Sequence, residues 1–260
     1  MPTLRSFLRI VDLHTVVVSA LALAATAACI RWDLRADLPT ALIGIAVIFP
    51  IVFSIHSAYR RREEALGAFA SLRAHAAALA WAHRDWPGEA DGHGERGRDL
   101  LLRLIRAIAD LLATRRGDEG ASDPAVVYGL LSELSRSHET LRSAGVSSGE
   151  VSRANQYLRH VVLDFERMRT IRDYRTPRAL RAYSRIFLNA FPVLYAPYFA
   201  YLAAESSAAI GYTVAFVYSL VLVSLDNVQD ALENPFDAIG EDDVDLAVAP
   251  ELERLLTLSH

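Results

Sequence analysis

Four acidic side chains lie close together near the C-terminal end of the sequence: Glu241, Asp242, Asp243 and Asp245. Carboxylate oxygens are the ligands that Ca²⁺ prefers, so the cluster is a candidate calcium site, although its spacing is not that of an EF-hand loop. Because like charges repel at this spacing, an arginine partner or a cation would relieve the cluster. We favour arginine over calcium, and a solvated acidic turn is the alternative. The candidate partners are Arg5 and Arg60 to Arg62.

Other residue types that carry out chemistry are sparse. The single cysteine, Cys29, cannot form an internal disulfide, and no zinc-binding spacing is present. His93 is predicted to lie in a Gly/Asp-rich loop and lacks partners there. No nucleotide-binding loop or nucleophile motif occurs, so the sequence predicts no enzyme and no cofactor other than the calcium considered above. The net charge of -4 gives no indication of nucleic-acid binding.

Four windows without charged side chains predict membrane-spanning helices: 14–30, 38–59, 186–204 and 206–225. Each is long enough to cross a hydrocarbon core of roughly 30 Å, where the backbone must satisfy its own hydrogen bonds. Glu205 alone separates the last two windows, which predicts a tight hairpin at 204–207. Pro192 and Pro197 predict an irregular third span.

The polar exceptions inside these windows are His14, His56 and Asn189. Polar residues within a membrane are candidates for function, and a histidine can change its charge near neutral pH. A simple hydrogen bond or packing contact between helices is favoured over a functional role for these residues. Just beyond the fourth window, Asp226, Asp230 and Glu233 are interpreted as an exposed face or a face between helices, and a proton relay is the alternative.

The region between the second and third windows predicts water-exposed helices. Apolar residues recur at helical spacing through 100–112, and breakers at 86–97, 117–124 and 145–148 divide the region into about three helices. Ser148 and Glu150 indicate a helix start, and one long helix is expected over about 38–81. The fold class is therefore all-α, an integral membrane protein with four transmembrane helices and a cytoplasmic helical region.

The predicted division of the chain is 1–82 for the first two transmembrane helices, 83–177 for the cytoplasmic helices, 178–231 for the last two transmembrane helices, and 232–260 for a cytoplasmic C-terminal segment. Arginines flank the helices on one side, in 5–9, 60–62 and 175–185, and outnumber Arg31 and Arg35 on the other. The positive-inside rule then predicts that both termini are cytoplasmic.

Two segments resemble the bestrophin family of ion channels. Residues 53–65 read FSIHSAYRRREEA, which is similar to the Ala-Tyr and Arg-Trp-Trp-Glu-Ala pattern of bacterial bestrophins. Arg61, Glu64 and Ala65 match, whereas Arg62 and Glu63 stand in place of the two tryptophans. The second segment, 233–236, reads ENPF and precedes the acidic cluster, as in the family, with 237–239 inserted between them.

The resemblance implies a homopentamer around a central pore, with the second span of each subunit lining a hydrophobic neck. It places Ile45, Phe49 and Phe53 at the neck, and helix geometry agrees, because residues four apart drift by only about 40° around a helix. The alternative is an apolar stripe that faces lipid or a neighbouring helix. Pro50 is a candidate hinge, and His56 a candidate lining residue of the cytoplasmic vestibule.

The expected function is that of a bestrophin-like channel in the inner membrane of a bacterium, conducting anions such as chloride. Aromatic edges, whose rims are positive, favour anions, while the apolar neck carries no formal charge that would decide the selectivity. The alternatives are a cation channel, for example for sodium, with the same fold, and a non-conducting membrane scaffold or sensor. The resemblance also places Asp242 and Asp245 at positions where eukaryotic bestrophins hold calcium.

Overall fold

The computed structural model describes residues 12–87, 92–114, 122–174, 178–238, 243–246 and 253–254. Across these ranges the regular structure is entirely α-helical, which confirms the predicted all-α class. The chain divides into two compact units, Met1–Arg60 with Arg175–Glu233 and Arg61–Tyr174 with Asn234–His260. We call them the first and the second unit. The predicted division at 82, 177 and 231 stays a prediction.

The longer helices within the described ranges are named in chain order. They are α1 (Leu13–Arg31), α2 (Thr40–Asp85), α3 (His93–Ala113), α4 (Pro124–Ser143), α5 (Ser148–Asp173), α6 (Arg178–Leu194), α7 (Ala196–Glu205) and α8 (Ala208–Glu233). The long helix expected over 38–81 is α2, and the three helices expected after it are α3, α4 and α5. The prediction that His93 lies in a loop is wrong, because His93 is the first residue of α3. Its Nδ1 lies 3.5 Å from Thr140 Oγ1.

Local chemistry sets several of these helix ends. The Asp12 side chain accepts a hydrogen bond from the Thr15 backbone N–H at the start of α1, and Ser147 does the same for Glu150 at the start of α5. Both bonds satisfy a backbone donor that has no partner within the helix. Pro124 occupies the first turn of α4, where its missing N–H costs nothing.

In the first unit, α1 packs against α6, α7 and α8. The predicted irregularity of the third span is confirmed, because the helix is interrupted at Tyr195, between Pro192 and Pro197. Gly211 lets α8 approach α7 closely, since a Cβ there would lie 2.7 Å from the Cβ of Ala203. The tight hairpin is also confirmed, with α7 ending at Glu205 and α8 beginning at Ala208.

Three helical segments among the described residues are long and apolar enough to cross a membrane. They are Leu13–Arg31, Arg181–Glu205 and Ala208–Glu233, with mean hydropathies of 2.0, 1.4 and 2.0. The predicted second span, 38–59, falls largely in the first part of α2, where the structure describes the helix but not every side chain. The count of four spans therefore stays a prediction.

The second unit is built around one apolar core. The predicted apolar face of α3 is buried in it, together with residues 65–80 of α2 and apolar faces of α4 and α5. Phe236, from the ENPF segment, is 2% exposed and belongs to the same core. Its neighbour Pro235 follows the end of α8 and accepts a hydrogen bond of 2.8 Å from the Val244 N–H. This bond holds residues 235 and 244 together.

Candidate functional site

The candidate neck residues lie on one open face of α2 within the first unit. Ile45, Phe49 and Phe53 are 64%, 62% and 56% exposed, although each is large and apolar. Ile51, 1% exposed, lies between the two phenylalanines in sequence and on the opposite side of the helix, because two residues turn a helix by about 200°. More than half of each of these three side chains is therefore left uncovered by the first unit.

The opposite face of α2 holds this helix in the first unit. Ile51 packs in a cluster with Leu188 of α6 and Leu222 of α8. Small residues continue that buried face, since Ser54 and Ala58 are 0% and 1% exposed. On the open face, the rings of Phe49 and Phe53 meet edge to face, with centroids 4.8 Å apart. That contact restricts both rings and fixes which parts of them are presented outward.

His56 lies on the same open face and is exposed. It follows Phe49 by seven residues, which brings it to within about 20° of the same line along the helix. The helix runs through Pro50 without a break in its assignment. The roles of Pro50 as a hinge and of His56 in a vestibule stay predictions.

A row of ion pairs joins the first turns of α6 to the last turns of α8. Arg181 Nη1 lies 2.8 Å from Glu233 Oε2, Arg185 Nε lies 3.8 Å from Asp226 Oδ2, and Arg185 also pairs with Asp230. Asp226 and Glu233 are both 4% exposed. Of the two faces predicted for these acidic residues, the face between helices is thus confirmed for Asp226 and Glu233, whereas Asp230 is more exposed. We missed their partners, although basic residues four apart on α6 facing acidic residues on α8 were a readable signal.

His14 and Asn189 are bonded to each other in this row. Asn189 Nδ2 donates to Asp226 Oδ2 at 3.2 Å and to the Arg185 carbonyl oxygen at 2.8 Å. Its Oδ1 is therefore an acceptor, so His14 Nε2, 2.7 Å away, is the donor. The contact between helices that was favoured for these residues is thus what the structure shows, as a hydrogen bond. They line an open polar cavity of about 520 Å³ together with Asp12.

The two candidate calcium ligands are only partly described. Asp242 and Arg5 lie outside the described residues, and Asp245 is exposed. Of the predicted arginine partners, Arg61 donates to the carbonyl oxygens of Ile171 and Tyr174, and Arg62 pairs with Glu63 at 2.6 Å. Among described residues, no group of three or more His, Cys, Asp or Glu is placed to hold a metal. The partner of the acidic cluster stays a prediction.

Solved structures share this arrangement over nearly the whole chain. A bacterial Bestrophin homolog from Klebsiella pneumoniae superposes with a TM-score of 0.78 at 19% identity, covering 94% of this chain and 96% of that one. A point variant of that homolog gives 0.76 at 19% identity, covering 96% of both chains. A crystal structure of a membrane protein variant gives 0.78 at 20% identity, covering 94% and 96%.

The chain has the bestrophin fold. This confirms the resemblance inferred from the segments at 53–65 and 233–236. No family model matches the sequence, and no curated protein matches it either. Within the bestrophin fold, the first segment supplies Phe53 to the open face of α2, Arg61 to the end of α5 and Ala65 to the core of the second unit.

Proposed function

We propose that the protein is a subunit of a homopentameric ion channel in the inner membrane of a bacterium, with both termini cytoplasmic. In this proposal the open face of α2 lines the pore, and Ile45, Phe49 and Phe53 form its neck. The bestrophin fold supports an ion channel, because the family to which the resemblance points consists of ion channels.

The observation that carries the proposal is the exposure of the three apolar side chains on α2. Large apolar residues that are more than half exposed require a second surface, which is lipid, another subunit or a narrow pore. Five copies around an axis would stack them into three apolar rings, and such rings control ion passage by excluding water. The edge-to-face contact of Phe49 with Phe53 would hold ring edges in the constriction.

We propose anions, chiefly chloride, as the permeant ions. Ring edges carry positive partial charge and favour anions in a site that lacks formal charge. A cation channel with the same fold is the alternative. Recording from the purified protein in planar bilayers, with a tenfold gradient of potassium chloride, distinguishes the two. The reversal potential has one sign if chloride permeates and the opposite sign if potassium permeates.

The pore assignment is tested by the Ile45→Ala/Phe49→Ala/Phe53→Ala triple variant. Widening and wetting the neck should raise the single-channel conductance. The matched control is Val217→Ala/Val221→Ala on α8, since these two side chains are about half exposed but lie on a different helix. The control should conduct like the wild type. A triple variant that assembles normally and conducts unchanged would contradict the assignment.

The homopentamer is tested by native mass spectrometry in detergent or nanodiscs. A mass of five chains supports a central pore. A monomeric or dimeric mass, together with an absence of conductance, favours a non-conducting scaffold or sensor with the same fold.

A further inference from the structure

A pair of buried histidines joins two helices of the second unit. His83 lies near the end of α2 and His138 on α4, at 1% and 2% exposure, with ring centroids 5.5 Å apart. We propose that His83 and His138 form an acid-sensitive lock, which holds α4 on the end of α2 while both rings are neutral and releases it when they gain protons.

The hydrogen bonds of His83 accommodate either charge state. Its Nδ1 lies 2.9 Å from the Leu79 carbonyl oxygen, so this nitrogen carries a hydrogen. Its Nε2 lies 2.8 Å from the Ser137 hydroxyl, which also lies 2.7 Å from the Leu134 carbonyl oxygen. In the neutral ring Ser137 donates to Nε2. In the charged ring Nε2 donates to Ser137, and Ser137 donates to Leu134.

The hydrogen bonds of His138 accommodate only the neutral ring. Its Nδ1 pairs with Asn155 Oδ1 of α5 at 2.7 Å, and its Nε2 is buried without a hydrogen-bond partner among the described residues. A second proton would place an N–H, and a positive charge, where nothing described accepts the bond. Burying an unpaired charge is far costlier than burying an unpaired neutral nitrogen. Protonation of His138 therefore favours movement of its ring, and with it α4, towards water.

The surrounding charges act in the same direction. Burial lowers the pKa of His83, and the neighbouring rings of His138 and His93 lower it further against the opposing Leu79 bond. Burial also lowers the pKa of His138, opposed by the bond to Asn155. Arg84 and Asp85, which follow His83 on its own helix, pair with each other. The titratable neighbours that lower the pKa of His83 are thus other histidines, each of which repels a proton on His83 once it is itself protonated.

The direction of the pH effect follows from these lowered pKa values. Above the ordinary histidine pKa of about 6.5, the rings are neutral in both the locked and the released states, and stability does not depend on them. As the pH falls from there towards the lowered pKa values, the released state binds protons that the locked state does not. Each such ring shifts the equilibrium towards release by up to about tenfold per pH unit.

A second histidine pair in the same unit provides a matched control. The rings of His75 on α2 and His160 on α5 stack with centroids 4.6 Å apart, but His160 is exposed and His75 Nδ1 lies 3.6 Å from the Asp164 carboxylate. This pair therefore has a carboxylate neighbour and one exposed ring, in contrast to the two buried rings of His83 and His138. Removing this pair should leave the lock unchanged.

Trp86 provides a local reporter of the lock. It follows α2 directly and packs against Leu141 at the end of α4 and Val146 beyond it. The other two tryptophans, Trp32 and Trp81, can be replaced by phenylalanine. In the full-length Trp32→Phe/Trp81→Phe protein, Trp86 emission should shift to longer wavelength between about pH 7 and pH 5, where histidines titrate. The far-ultraviolet circular dichroism should stay unchanged, which separates release from unfolding.

In that background, His83→Gln/His138→Gln should abolish the emission shift, and His160→Gln should retain it. The proposal is overturned if the shift is absent, if it survives in the double variant, or if His160→Gln removes it. Should the double variant fail to fold, histidine side-chain NMR of the otherwise wild-type protein decides instead. Two rings titrating below the ordinary range support the lock, and two rings titrating at it contradict the lock.

Discussion

The close approach of α3 to α2 depends on Gly97. A Cβ at this position would lie 2.6 Å from the Cβ and 2.7 Å from the Cγ of His83. Both atoms are near the backbone of α2 and cannot move away as the tip of a long side chain could. We therefore expect Gly97→Ala to force the two helices apart at the site where His83 is buried.

Two opposing effects set the size of this change. Alanine in place of glycine within a helix stabilises the fold by about 0.5–1 kcal/mol. Overpacking a close contact costs about 1–3 kcal/mol, and the 2.6 Å approach places Gly97→Ala at the upper end. The net expectation is a loss of about 2 kcal/mol. Gly129 is the matched control, because it lies within α4 and a Cβ there would meet nothing within 4 Å. Gly129→Ala should therefore be neutral or stabilising.

The measurement is the apparent unfolding temperature of the full-length protein in one detergent at one scan rate. For a chain of this length, 1 kcal/mol corresponds to about 2–4 °C. Gly97→Ala should fall below the wild type by a few degrees, while Gly129→Ala should equal or exceed it. If the two variants unfold at the same temperature, the contact between Gly97 and His83 is not formed as described.

Two further changes test the ion-pair row and the acidic cluster. Glu233→Gln should lower the unfolding temperature by several degrees, because it leaves the Arg181 guanidinium beside a buried neutral amide, whereas exposed Glu205→Gln should have little effect. Calorimetric titration should show no micromolar calcium binding to the wild type. Binding that the Asp242→Ala/Asp245→Ala variant abolishes would instead identify the acidic cluster as a calcium site.

The helix ends could be predicted because their causes are local in sequence. The start of α5 follows from the Ser147–Glu150 capping pattern, and the predicted start at Ser148 is the observed one. The interruption at Tyr195 follows from two prolines within six residues. Proline and capping residues act within one turn, so a single sequence carries the whole signal.

The pairings between distant residues could not be predicted in the same way. His83 and His138 are 55 positions apart (138 − 83), and helix periodicity shows only that each falls on a buried face. Which helix lies opposite, and in which register, depends on how all the apolar faces pack together. Ile45, Phe49 and Phe53 could be predicted in part. Helix periodicity places the three residues on one face, but their exposure is seen only in the packed first unit.

Arg61, which belongs to the segment at 53–65, contacts the C-terminal end of α5. Its guanidinium donates one hydrogen bond to the Ile171 carbonyl oxygen and another to the Tyr174 carbonyl oxygen, at the end of α5. The last carbonyls of a helix lack partners and carry partial negative charge, so a cation there satisfies both needs. Two acceptors also match the planar fork of arginine, which lysine lacks.

Arg61→Lys should therefore retain the charge but lose one of the two bonds, at a cost of about 1 kcal/mol, and Arg61→Met should cost about 2–3 kcal/mol. Arg142→Met is the matched control, since Arg142 pairs on an exposed surface with Glu139, and such pairs contribute about 0–1 kcal/mol. The order of unfolding temperatures should be Arg142→Met, Arg61→Lys and Arg61→Met, from high to low. An Arg61→Lys variant that unfolds at the wild-type temperature would mean that charge alone matters, and the fork would then have no role in closing α5.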